Sequence, residues 1–297
     1  MTADNPLTCD YEPASDHASE AARRHYWAVA IGLQEVDGLV VSPYVREAAD
    51  AYAAGECSLE ETGELVRAYH GSGASADTKE ADLVSLRIAE LLARSPFALS
   101  PGMLAQIHRY LFQDLDPAVY HPGEFKIERM VKQEEILNGD SVLYADPLTY
   151  EMSLAAVFSD EQTKLYGALE GDELRGFCRS MVLLWQVHPF YEGNTRTMAV
   201  FSELYLNHLG FSTGNEPFAE HARYYRDALV RAMYRNAAAG IFPDLSFLMR
   251  FYENLLGQAN HRLDRRDLLC PDLFEQPRLL RNVDAAEAFD KRNLVNE

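Results

Sequence analysis

The stretch "HPFYEGNTRT", His188 to Thr197, follows the apolar run "MVLLWQV" that ends at Val187. A proline pushes the residue before it out of the α region, so the helical pattern over 173–187 must stop as His188-Pro189 arrives. Apolar residues at helical spacing resume with Phe201, Leu204, Tyr205 and Leu209, giving a second helix over 195–209. The decamer therefore joins two buried helices. Gly193-Asn194 ahead of Thr195 leaves free backbone N–H groups at the positive end of the second helix, which is an anion site. Arg196 adds a fork-shaped cation suited to phosphate oxygens. Glu192, the only acid of the decamer, suits Mg²⁺, which is held by one or two carboxylates plus substrate phosphates. His188 at the edge can take a proton from a nucleophile near neutral pH. Together these parts describe a site for a metal-bound di- or triphosphate with a base for in-line attack.

Composition limits what surrounds that loop. The 297 residues are 47% apolar, enough for a full core in one large domain or a domain plus a smaller module. Lys and Arg number 27 against 46 Asp and Glu, a formal charge of −19, which disfavours general attraction to nucleic acid. No helix-turn-helix carries a basic face, so a DNA-binding helical protein is set aside. Cys9, Cys57, Cys178 and Cys270 show no CxxC spacing, which excludes a zinc site of that kind and predicts free thiols in a reducing cytoplasm. With neither a basic start and apolar core at the N-terminus nor a run of about 18 apolar residues, the expectation is a cytoplasmic protein without membrane association.

Along the chain, residues 1–20 read as a flexible tail and 21–70 as a module of three short helices. Ser42-Pro43 opens one of them and the capping box Ser58/Glu61 another. "GSGASA", Gly71 to Ala76, reads as a linker, followed by a main domain to residue 260 and a C-terminal extension over 261–297. Helical stripes recur in "EADLVSLRIAELLA" and "SPGMLAQIHRYLFQDL", and again over 150–166, 219–235 and 244–256. The predicted exception is one β-hairpin between Gly123 and Asp146, turning at Asn138-Gly139 and flanked by Ile136, Leu137, Val142 and Leu143. An exposed strand edge there suits main-chain pairing with an extended peptide.

"HPFYEGNTR" resembles the signature of the Fic family, His-x-Phe-x-Asp/Glu-Gly-Asn-Gly-Arg-x-x-Arg, and the resemblance covers roughly 24–257, including "EADLVSLRIAELL", "IHRYLF", "ILNGDSVLYAD" and "RDALVRAMY". It implies a mainly α-helical Fic fold with a β-hairpin flap that transfers AMP from Mg-ATP to a Ser, Thr or Tyr hydroxyl of a target protein, the chain itself included. On that resemblance His188 deprotonates the target hydroxyl, Phe190 anchors the loop in the core, Glu192 holds Mg²⁺, and Gly193, Asn194, Thr195 and Arg196 cradle the phosphates. The flap residues Ile136, Leu137 and Val142 dock the target. Thr195 replaces the usual third glycine, and Ala199 the second arginine, which in the family contacts the γ-phosphate end. Arg223, Arg226 and Arg231 are candidates to replace it.

"GLQEVDGLVVSPYVREAADAYAAGECSLEE" is similar to the small antitoxin that inhibits some Fic enzymes. Its inhibitory Ser/Thr-x-x-x-Glu-Gly falls on Leu33 through Gly38, with Asp37 for the glutamate. With Asp37 and Ala199 both altered, the family's usual glutamate–arginine pair is not expected, and restraint by this module should be weaker or use another contact. Other readings from the sequence are a different donor, giving UMP, phosphate or phosphocholine transfer, and a nucleotide-binding regulator without transferase activity. A homodimer is left open.

Overall fold

The computed structural model describes residues 18–73, 76–94 and 96–281. Residues 1–17 of the expected tail, with Cys9, lie outside the described residues, as do 74–75 of the linker and 282–297 of the C-terminal extension. Among the described residues the chain is helical, and no helix is long and apolar enough to cross a membrane. Cys57, Cys178 and Cys270 are free thiols.

The N-terminal module contributes α1 (Glu20–Gly32), a 3₁₀ turn (Leu33–Asp37), α2 (Pro43–Ala54) and α3 (Leu59–Gly71). Local chemistry sets their starts: Ser42 Oγ accepts the Val45 N–H with Pro43 in the first turn, and Ser58 and Glu61 close a reciprocal capping box. Gly38, at φ 71°, ends the 3₁₀ turn in the left-handed region.

The main body follows with α4 (Lys79–Arg94), α5 (Pro101–Phe112), α6 (Pro117–Tyr120), α7 (Tyr150–Glu161), α8 (Gly171–Val187), α9 (Asn194–His208), α10 (Glu216–Met233), α11 (Ser246–Leu255) and α12 (Pro271–Glu275). α9 lies at the centre, with every residue from Asn194 to Leu206 buried. A helix buried all round needs no polar face, which is why its apolar stripe is weak.

The module is built into this body. α1 packs on α4 and α10. Gly32 permits the close crossing with α10, because a Cβ there would stand 2.3 Å from the Phe218 carbonyl oxygen. Polar contacts tie the two parts: His70 Nε2 lies 2.8 Å from Asp82 Oδ2, the Ser42 N–H donates to Asp82 Oδ1 at 2.8 Å, and His25 meets the buried Glu203. Asp82 is wholly buried, so losing these partners would leave a carboxylate uncompensated in the core.

The predicted β-hairpin is not formed. Asn138 and Gly139 do turn the chain with positive φ, 53° and 83°, but Glu135–Leu137 is a 3₁₀ turn and no strand occurs among the described residues. Ile136 and Leu137 are consecutive and both buried, which a hairpin with one face open to solvent would not give and a turn allows. The Ile136 carbonyl accepts the Cys270 N–H at 3.1 Å, so the C-terminal segment takes a backbone group a ladder would have used, and Asn138 Nδ2 donates to the Leu273 carbonyl at 3.0 Å.

Candidate functional site

α8 ends at His188, whose φ of 48° and ψ of 55° turn the chain sharply, and α9 opens at Gly193 with φ 70°. Between them the loop is stapled by Asn194, whose Oδ1 accepts the Phe190 N–H at 3.0 Å and whose Nδ2 donates to the Phe190 carbonyl at 2.8 Å. Both ends of that amide are spent on the loop's own shape, whereas the resemblance gave Asn194 to phosphate. Phe190 is buried, with its ring stacked at 3.8 Å on His108. The Gly193 position is filled by its surroundings, since a Cβ would lie 2.1 Å from the Phe112 ring.

His188, Glu192, Asn194 and Thr195 line one cleft together with Asp37, Lys132, Glu134, Tyr144, Trp185 and Arg226. The module's Asp37 forms one wall of this cleft. Neither ring nitrogen of His188 has a hydrogen-bond partner, although both are buried, and Tyr144 tilts over the ring at 4.0 Å. Burial, then the charges of Lys132 and Lys126, holds the imidazole well below its usual pKa, so it is neutral and able to accept a proton. Its backbone carbonyl accepts the buried Lys126 ammonium, whose own pKa burial and Lys132 lower to about 7.

Glu192 is partly exposed, and its Oε1 accepts the Gly193 N–H at 2.8 Å. Burial raises its pKa, but Lys132, that N–H and Arg196 outweigh it, leaving the carboxylate ionised below the usual range. An ionised carboxylate facing a cleft at a helix N-terminus fits Mg²⁺ arriving with phosphate oxygens. The Thr195 hydroxyl accepts the Trp185 indole N–H at 3.1 Å.

Arg196 is placed differently from its expectation. It is fully buried behind the cleft: Nη1 donates to Gln34 Oε1 at 3.1 Å, Nη2 to Glu80 Oε1 at 2.7 Å, and Nε lies 2.8 Å from Asp37 Oδ2. That last contact is an ion pair whose angle misses hydrogen-bond geometry. Burial disfavours the charge, and Asp37 and Glu80 more than restore it. A 3₁₀ turn repeats every three residues, so Gln34 and Asp37 share a face and reach Arg196 together, while Glu35 is exposed. The sequence reading expected no such pair because Ala199 replaces the usual arginine; Asp37 pairs instead with the arginine three residues earlier.

Residues 98–206 match the Fic/DOC family model, and residues 23–68 match that of the antitoxin VbhA. The chain carries a Fic/DOC domain behind an N-terminal antitoxin-like module. No curated protein matches the chain. The Fic match contains the whole His188–Thr197 loop, and the antitoxin match contains Gln34, Asp37 and Gly38.

The remaining Fic-derived expectations divide. Ile136, Leu137 and Val142 are buried in the core and do not line the cleft, so they present no docking edge, while neighbouring Leu143 is 59% exposed. Of the three substitute arginines, Arg226 lines the cleft; Arg231 instead contacts Cys270 Sγ at 3.0 Å. Sequence reasoning passed over Lys126, Lys132, Glu80, Gln34 and His108. Two lysines in "FKIERMVKQ" of a strongly acidic chain were the available signal. His108 links the loop to α5: its Nδ1 accepts the Gly123 N–H at 2.9 Å, so Nε2 donates to the Glu192 carbonyl at 3.0 Å.

Proposed function

We propose that this Fic protein is a protein adenylyltransferase, moving AMP from Mg-ATP to a Ser, Thr or Tyr hydroxyl of a target protein and of itself, restrained by its antitoxin-like module. The observation that carries the reading is the neutral, unpartnered His188 ring in a cleft at the N-terminus of α9. In the step proposed, the target hydroxyl loses its proton to an imidazole nitrogen of His188. Its oxygen forms the bond to the α-phosphorus, and the α–β phosphoanhydride bond breaks with pyrophosphate as leaving group. Mg²⁺ held by Glu192 would supply charge neutralisation on the phosphates. The N–H groups that open α9 would face the anion, while Phe190 and Asn194 hold the loop's shape.

Ala199, wholly buried where the family motif has its second arginine, favours as a second reading a donor with a different terminal group, giving UMP, phosphate or phosphocholine transfer. Mass spectrometry of the purified chain after incubation with Mg²⁺ and each donor separates these. An added mass of AMP only with ATP supports adenylyl transfer. Binding of ATP with no added mass on the chain or on proteins of a lysate would leave a nucleotide-binding regulator.

A further inference from the structure

With no arginine at position 199, the cleft must draw its positive charge from elsewhere. Arg196 is buried behind the cleft, engaged with Asp37, Gln34 and Glu80. Arg226 lines the cleft, but its Nη2 donates to Glu134 at 2.9 Å and its Nη1 to the Val36 carbonyl at 3.4 Å. Lys132 is the other cation of the lining. Its side chain is 27% exposed, and its carboxylate contact, Glu192 Oε1, is 3.7 Å away, beyond direct hydrogen-bond distance. Because that oxygen also takes the Gly193 N–H, the ammonium stands beside the residue from which α9 begins.

Resting on the nucleotide reading above, we infer that Lys132 binds the terminal phosphates of the donor, supplying from the loop before Asn138 the charge that α9 lacks at Ala199. A compact ammonium on a long stem can turn toward a polyphosphate without first breaking a short ion pair, which neither Arg196 nor Arg226 can do. It shares this region with the helix N-terminus, so both sources of positive potential act on one anion.

The test is calorimetric binding of ATP and of AMP, with Mg²⁺, to the full-length chain carrying Asp37→Asn, so that the Arg196 contact does not mask binding, and to the same chain with Lys132→Met or Lys132→Arg added. A charge-assisted contact of this kind predicts that Lys132→Met weakens ATP about tenfold or more while AMP stays within about twofold. Lys132→Arg should recover most of the loss. Unchanged ATP affinity in Lys132→Met would overturn the assignment. Equal weakening of ATP and AMP would overturn it too, because that reports a disturbed loop rather than a lost phosphate contact. If the parent chain binds no ATP, the nucleotide reading itself falls and this inference with it.

Discussion

Asp37 Oδ2 lies 2.8 Å from Nε of Arg196, joining the last residue of the module's 3₁₀ turn to the third residue of α9. The two are brought together by the packing of α1 on α4 and α10. Because Arg196 cannot serve a phosphate while it serves Asp37, the pair is a physical basis for restraint. Asp37→Gly should raise Mg-ATP affinity by about tenfold, the worth of one charged contact, and should raise self-modification. Glu80 still holds Arg196, so the melting temperature should change little. Adding Glu80→Gln leaves a buried guanidinium without an acid and should cost about 3–5 kcal/mol. Calorimetry, label transfer and thermal unfolding read the three quantities; unchanged affinity and transfer in Asp37→Gly would reduce the module to a cover.

His188→Ala and Glu192→Ala should separate chemistry from metal-dependent binding. The first should lower transfer by at least about 10²–10⁴, the usual contribution of a positioned base, with ATP affinity nearly kept. The second should weaken ATP only when Mg²⁺ is present. Single-turnover transfer and paired titrations with and without the metal check both, and wild-type transfer by His188→Ala would remove the proposed base.

Acid should destabilise this fold through its buried histidines. Burial, opposed in part by the bond to Glu192 and aided by Arg196, lowers the His108 pKa to about 3, and His188 is also well below its usual value. Both folded values lie below the unfolded value of about 6.5, so below that pH the unfolded chain binds more protons. The stability they contribute is present above about pH 6.5 and is lost as pH falls, by up to ~1.4 kcal/mol per unit for each histidine. Chemical denaturation at pH 7, 6 and 5 should show this slope, and His108→Asn should make it shallower. An identical slope in that variant would contradict the assignment.

Gly193→Ala should disable the loop. The new Cβ would lie 2.1 Å from the Phe112 ring in a backbone at φ 70°, and the combined clash and strain should cost about 2–4 kcal/mol. Phe112→Leu in the same chain should recover part of it. Urea unfolding measures the cost, and a loss under about 0.5 kcal/mol would mean the ring moves freely aside.

The loop around Asn138-Gly139 offers a paired test of target docking. Val142 is buried and Leu143 exposed, so Val142→Asp should unfold the loop at a cost of several kcal/mol while Leu143→Asp should leave stability nearly unchanged. If this surface meets the target chain, Leu143→Asp lowers target modification several-fold with ATP affinity kept. Equal modification by that variant would place docking elsewhere.

Much of this protein was already determined by its sequence. Ser42, Pro43, Ser58 and Glu61 act within a few residues of themselves, and the helices over 173–187 and 195–209 follow from apolar spacing and from Pro189, so these features were legible before any fold was known. The His188–Thr197 motif was legible for the same reason, its parts being contiguous in the chain. Asn138-Gly139 also turned as expected, but whether its flanks paired with each other was not a local matter. Cys270, over 130 positions away, took a backbone carbonyl the ladder needed, and Leu273 held the Asn138 side chain. Tertiary structure alone decided the partners of the charges. Arg196 looked like a phosphate ligand and became the anchor of Asp37, Glu80 and Gln34, while Lys132, unremarked in the sequence, came to face the cleft. Backbone hydrogen bonds and caps are satisfied within a turn or two, whereas a buried charge is satisfied by whatever residue the whole fold brings beside it.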